Sequence, residues 1–192
     1  MFFVKAKSVI VGIDEAGRGA LAGPVMACAC VFVKSLLSMP LIRDSKQLTP
    51  EQRENAYEWI CRSCCFGVGM ADAAFIDANG ILAATERAMQ DAVSQLEKKV
   101  TPTYLLVDGR DAFWFNYAHS SVIRGDESEP CIAAASIVAK VTRDRFMVTH
   151  DLATTYGFTQ HKGYGTPSHY SKIAAHGISP LHRKTFLRNI HP

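Results

Sequence analysis

The sequence predicts an α/β fold, and three observations carry that reading. Apolar runs of strand length recur along the chain, helix-period patterns with their own start signals stand between them, and several of the runs end at an acid beside a glycine. In α/β sheets the carboxyl ends of strands are where ligands bind, because side chains there leave the sheet and loops can be shaped without disturbing the core. With 192 residues, 48% of them hydrophobic, the chain can bury one sizeable core, so residues 1–192 are taken as a single domain with a basic helical extension over 155–192.

The first strand spans Ser8 to Ile13 and delivers Asp14 and Glu15 to its end, where Gly17-Arg18-Gly19 turns at once. Neighbours in a strand point to opposite faces, so both acids reach one site only where the strand has begun to turn at Glu15. The plain alternative is that Asp14 caps a helix and Glu15 is solvated. Val25 to Val33 reads as a strand buried on both faces, with Cys28 and Cys30 sharing one face as small hydrophobes. After a polar stretch containing Arg43-Asp44-Ser45-Lys46, Thr49-Pro50-Glu51-Gln52 combines a cap, Pro at the first helical position and Gln three residues after the cap. The helix that follows has Ala56, Ile60 and Cys64 on one face.

Phe66 to Ala71 is a short third strand. Asp77-Ala78-Asn79-Gly80 then leads into a long helix whose stripe is Ile81, Thr85, Ala88, Met89, Ala92, Val93 and Leu96. Tyr104 to Val107 is a fourth strand and ends in Asp108-Gly109, repeating the pattern of the first. Ser121-Val122-Ile123 precedes Arg124-Gly125-Asp126, and Pro130 opens a helix along which Ser136, Lys140 and Arg143 form one polar, cationic edge. Tyr156 to Gly165 is a loop rich in glycine and aromatic residues. Thr166-Pro167 caps a short helix that stops near Gly177, and Ser179-Pro180 opens another.

The formal charge is +3, but from Ala139 onward eight Lys and Arg residues face only Asp144 and Asp151, and six of the seven histidines lie there too. Such clustering is the electrostatic footprint of a polyanion partner, nucleic acid above all, with a solvated charged face as the alternative. No signal peptide and no apolar run of the ~18 residues needed to span a bilayer is visible, so a cytoplasmic protein is expected. The six cysteines then read as reduced; Cys61 and Cys64 have the spacing of a redox or zinc pair but no second pair to complete it.

Asp14, Glu15, Asp108 and Asp126 come from separate strand or loop ends. If those ends converge, four carboxylates cannot all stay ionised without cations, and hard divalent ions are the natural neutralisers. Mg²⁺ suits the site because it accepts a few carboxylates while keeping waters and substrate phosphates. Two such ions clamp the attacking and leaving oxygens of an in-line displacement, so the expected reaction is phosphodiester hydrolysis without a covalent intermediate.

Several stretches together resemble type 2 ribonuclease H: Gly12 to Gly19, Asp44-Ser45-Lys46, Val107-Asp108-Gly109, Gly125-Asp126, Ala133 to Asp144, and His161-Lys162-Gly163-Tyr164-Gly165-Thr166. The resemblance runs in order along nearly the whole chain. It implies a ribonuclease H-like mixed five-stranded sheet flanked by helices, with a small helical C-terminal part that contacts substrate. It also implies cleavage of RNA paired to DNA, and of DNA duplexes with embedded ribonucleotides, leaving a 3′-hydroxyl and a 5′-phosphate. Asp14, Glu15, Asp108 and Asp126 then become the ligands for two Mg²⁺ or Mn²⁺ ions. Gly17, Arg18 and Gly19 become the turn that contacts the ribose 2′-hydroxyl and adjacent phosphate, and Tyr164 the ring that packs on the sugar at the DNA-RNA junction. The 2′-hydroxyl is the group that marks RNA, and backbone amides and carbonyls at glycines can read it at close range. Lys46, Lys140, Arg143 and Lys162 are placed on phosphates, which set register without reading sequence. A monomer is the default state.

Two departures from the family pattern stand out. Ala20 occupies the place of a proline, which is expected to loosen the turn, and Glu127 and Glu129 add negative charge beside Asp126. The rivals are a DNA nuclease or strand-transfer enzyme using the same metal chemistry, which would have no use for a 2′-hydroxyl reader, and a non-catalytic binder of hybrids.

Overall fold

The computed structural model describes residues 8–33 and 48–188. Lys46 and the polar stretch around it lie outside the described residues. Five strands form one mixed sheet: β1 (Ile10–Ala16), β2 (Val25–Phe32), β3 (Cys64–Ala71), β4 (Tyr104–Asp108) and β5 (His119–Val122). Their order is β3-β2-β1-β4-β5, with β1, β2 and β3 antiparallel and β4 and β5 running parallel to β1. This is the ribonuclease H-like arrangement the sequence implied, and β1 is its centre.

The alternation of side chains assigns a helix to each face. Val11 and Ile13 of β1, and Val25, Ala27, Ala29 and Val31 of β2, share a core with Ala84, Ala88, Met89, Ala92 and Leu96 of α3 (Ile81–Glu97). The stripe predicted for that helix is the buried one. On the other face Ala16, Cys28 and Cys30 pack with Ala134, Ile137, Val138 and Val141 of α5 (Pro130–Thr149). Cys28 and Cys30 thus do share one face, and β2 is buried on both. Helix α1 (Pro50–Ser63) adds Ala56 and Ile60 there, started by the expected reciprocal cap between Thr49 and Gln52.

Helix α5 approaches β1 very closely at Gly12. A β-carbon at that position would lie 2.2 Å from the Cys131 carbonyl carbon and 2.3 Å from the Ile132 nitrogen. Gly67 and Gly69 of β3 do the same for α3, whose Ala92 and Ala88 carbonyl oxygens would be 2.2 and 2.1 Å away. Missing side chains therefore set the spacing of both helical layers.

Several elements differ from expectation. β1 continues through Ala16, pairing Glu15 with Ala27, so it does not turn at Glu15. Cys64 begins β3 and is not on α1, and all six cysteines are free. A short helix α2 (Ala73–Asn79) precedes α3, with the Asp72 carboxylate accepting the Phe75 N–H at 2.8 Å; seven residues are too few to show a period. Gly125–Ser128 forms one helical turn, α4, and α6 (Ala153–Tyr156) and α7 (Phe158–His161) occupy part of the stretch expected as loop. Helix α8 (Pro167–His176) starts at the Thr166 cap and ends at Gly177 as expected. No helix opens at Ser179-Pro180; the Ser179 hydroxyl is turned to the His182 ring, and a 3₁₀ turn follows at Lys184–Phe186. Among the described residues no helix is long and apolar enough to cross a membrane.

Replacing Gly12 by Ala should drive α5 off β1, because the obstacle is backbone and cannot rotate away. The expected cost is about 1–3 kcal/mol, read as a lower urea midpoint. An unchanged midpoint would mean that the helix is free to shift.

Candidate active site

The register between β1 and β4 builds the site. Ile13 pairs with Val107, both facing the α3 core, so Asp14 and Asp108 follow as neighbours on the face toward α5. There α5 supplies Ser136, whose hydroxyl bonds the Asp14 carboxyl, and one turn later Lys140. Asp14, Glu15, Gly17, Arg18, Asp108, Ser136, Lys140 and Tyr164 line one pocket. Both acids line it although β1 has not turned, and Glu15, one residue before the end of β1, accepts a hydrogen bond from Arg18 at 3.3 Å.

Asp14 is 5% exposed, and burial pushes its carboxyl well above the ordinary range, with the charges of Glu15 and Asp108 adding to the effect. Glu15 is raised chiefly by burial, against which the Arg18 guanidinium acts. Asp108 accepts the Gly125 N–H at 2.7 Å and so ties β4 to α4. Asp126, the next residue on α4, is buried and is not among the side chains lining the pocket. Glu127 is occupied by Arg124 at 2.8 Å, which answers one of the two extra charges.

Whether these residues suit a metal is a matter of donor chemistry. Hard carboxylate oxygens share one pocket, and burial raises two of the acids above their ordinary range, which is the condition a divalent cation relieves. As the side chains lie, no three His, Cys, Asp or Glu groups among the described residues close on one point. The donors fit the ion in kind and neighbourhood, but they are not drawn together around it.

The Gly17-Arg18-Gly19 turn is held from below by two arginines that are both 0% exposed. Arg183 donates to the carbonyls of Gly17, Arg18 and Gly23 at 2.7, 2.8 and 3.0 Å, and Arg143 to those of Pro24 and Ala22 at 2.9 and 3.0 Å. Gly17 has a φ of +96°, and a β-carbon there would meet the Arg143 side chain at 2.0 Å. The expected place of Arg143 on an exposed cationic edge is therefore corrected: it is interior structure. At Ala20 the N–H, which a proline would lack, donates to the Gly17 carbonyl at 3.3 Å.

The remaining cations divide. Lys140 lines the pocket, paired with Asp144 at 2.8 Å, and its ammonium lies 5.6 Å from the centre of the Tyr164 ring. Arg143 stacks under the same ring at 5.1 Å. Lys162 donates to the Thr159 carbonyl and borders a separate groove with Arg53, Glu54 and Arg145. Arg18 is held by Asp111 at 2.8 Å and by Glu15 at 3.3 Å. Asp111 and Arg183 carried no motif in the sequence: the first lies in a featureless polar loop, and the second counted only as one charge among eight.

A family model described as Ribonuclease HII matches residues 11–189. The ribonuclease HII of Geobacter metallireducens is 48% identical over 179 residues, covering 92% of this chain and 83% of the relative. Among solved structures, ribonuclease H2 from Pyrococcus horikoshii OT3 superposes with a TM-score of 0.79 at 26% identity, over 95% of this chain and 96% of that one. The PCNA:RNase HII complex from Archaeoglobus fulgidus gives 0.72 at 25% identity, over 91% and 93%.

A carboxyl raised by folding makes the metal-free protein less stable as pH climbs from the ordinary carboxylate range through the raised value, since the folded state must then give up a proton it holds more tightly than the unfolded chain does. Asp14→Asn removes that cost. In chelator at pH 8 the variant should melt about 2–4 °C above the parent, the shift worth roughly 1 kcal/mol in a chain of this size. Mg²⁺ should then raise the melting point of the parent and leave that of the variant in place.

Proposed function

The chain belongs to the ribonuclease HII family and is an endoribonuclease; from that premise we propose that it hydrolyses RNA paired to DNA, and also the phosphodiester 5′ to a lone ribonucleotide in a DNA duplex, leaving 3′-hydroxyl and 5′-phosphate ends. The observation that carries the reading is the adjacency of Asp14 and Asp108 across β1 and β4, in a pocket that also holds Glu15, Ser136, Lys140 and Tyr164 beneath the Gly17-Arg18-Gly19 turn. A phosphodiester centre needs acids, a cation and a strand guide in one place, and the pocket brings all three together.

Asp14, Glu15 and Asp108, with Asp126 on the neighbouring α4, would hold Mg²⁺ or Mn²⁺, and two such ions would supply the charge that activates water and steadies the departing oxygen. Ser136 orients the Asp14 carboxyl from α5. Lys140 is the pocket's cation for the phosphate that flanks the cut, exchanging Asp144 for it when a stronger anion arrives. Arg18 serves the adjacent phosphate by exchanging Asp111 for it. The Gly17 and Gly19 backbone reads the 2′-hydroxyl, which only RNA presents, and the Tyr164 ring packs on the sugar. Residues 155–192 meet substrate chiefly through Tyr164. A DNA nuclease with the same acids would not need a turn braced so firmly against a sugar.

Asp108→Asn should lower cleavage of a continuous hybrid by on the order of 10²-fold or more while leaving hybrid binding nearly intact, because it removes a ligand and adds no bulk. A near-parental rate would refute the reading.

Tyr164→Ala should lower cleavage at a single embedded ribonucleotide more than on continuous hybrid, measured side by side with labelled duplexes. Equal losses on the two would remove the ring from junction sensing.

A further inference from the structure

Behind Tyr164 lie three histidines that the proposed chemistry does not use. His169 is 0% exposed, His182 1% and His161 8%, and they sit among Phe158 and Tyr156 in the C-terminal part. Their hydrogen bonds have a direction that the backbone fixes. The Ser179 N–H can only donate, and it reaches His182 Nδ1 at 3.0 Å, so that nitrogen carries a lone pair. The Ser179 hydroxyl lies 2.8 Å from the same nitrogen and, with a lone pair there, can only donate to it, while its oxygen accepts the Leu181 N–H. A neutral His182 must then bear its proton on Nε2, which stands 3.1 Å from His169 Nε2. That second nitrogen is in turn the acceptor, which leaves the His169 proton on Nδ1, 3.0 Å from the Tyr164 carbonyl oxygen that receives it. His161 follows the same rule independently, accepting the Gly163 N–H at Nδ1 and donating from Nε2 to the Tyr156 carbonyl.

We propose that His182 and His169 are positioning residues: a one-way chain of hydrogen bonds from the Ser179 amide to the Tyr164 carbonyl that holds the junction tyrosine over Lys140 and Arg143. The inference rests on the role given to Tyr164 above. Any extra proton breaks the chain, because a charged His169 would set two N–H groups against each other across the 3.1 Å contact, and a charged His182 would meet the Ser179 amide. Burial accordingly pulls both rings below the usual imidazole range, His182 to about 4. The titratable groups against the pair are His161, stacked on His169 at 4.4 Å, and Tyr156, edge-on to His182 at 4.7 Å; the neighbouring Arg183 is turned to the carbonyls of Gly17, Arg18 and Gly23. The chain is joined to the acid pocket through Gly163, whose carbonyl takes the N–H groups of Leu21 and Ala22 just past the glycine turn.

Two measurements test this. In the unaltered protein, long-range ¹⁵N–¹H correlations should show His182 as the Nε2–H tautomer and His169 as the Nδ1–H tautomer, both unchanged down to about pH 6, below the ~6.5 at which a free ring is half protonated. The reverse tautomers, or a ring that charges above that pH, would overturn the proposal without touching the assignment of Tyr164. His182→Phe keeps the volume and removes the bonds to Ser179 and to His169, whereas His182→Gln keeps a distal donor for His169. The Phe variant should lose about tenfold or more at a single ribonucleotide and less than about threefold on continuous hybrid, with most of the loss recovered in the Gln variant. Equal losses on both substrates, or no difference between Phe and Gln, would also overturn it. Should the Phe variant not fold, the tautomers in the parent decide alone. If Tyr164→Ala leaves the substrate preference unchanged, the role of the tyrosine fails while the tautomers still report on the chain.

Discussion

Two buried guanidinium groups hold this molecule's working surface in shape. Arg143 and Arg183 reach five carbonyl oxygens of residues 17–24, and no carboxylate is among those partners. Burying cations against neutral acceptors is costly, and the cost is visible in Arg183, drawn down to about 9 by burial and by Arg143, though still charged at neutral pH. One nitrogen of Arg143, Nη1, finds no partner at all among the described residues. The return is a rigid loop with two positive charges under it, which favours the approach of a phosphate from above.

The acids show the opposite economy. Asp14, Glu15 and Asp108 are brought to one pocket by strand register and by the glycine that lets α5 lie against β1, and of the three Glu15 has the Arg18 guanidinium set against its charge. Acids and the cations Arg18 and Lys140 line one pocket, so it offers both signs of charge within a short reach. A nucleic acid with bound metal ions brings both complements at once: phosphates for the cations and divalent ions for the acids.

How much of this could be read from the chain depends on whether the signal was local. The stripe of α3, the Thr49 and Thr166 caps and the paired cysteine face of β2 are local patterns, and each stands where the residues predicted it. The ribonuclease H-like sheet was legible because long motifs survive in order. What failed was charge without context. Arg143 lies one helical turn beyond Lys140 and looked equally exposed, but the sheet-facing side of α5 swallows it. Glu15 was expected to need an early turn, but β1 runs on through Ala16 and Glu15 still lines the pocket, beside Arg18. The histidines looked like part of a basic surface, and only the pairing of Ser179 with His182 and of His169 with Tyr164 reveals an uncharged interior.

Arg183 meets the loop across 160 to 166 residues of intervening chain. Contacts of such sequence separation close late, after local helices and hairpins have formed. The sheet and α3 can therefore form before the Gly17-Arg18-Gly19 turn has its brace, so the last contacts to close are those under the rim of the acid pocket.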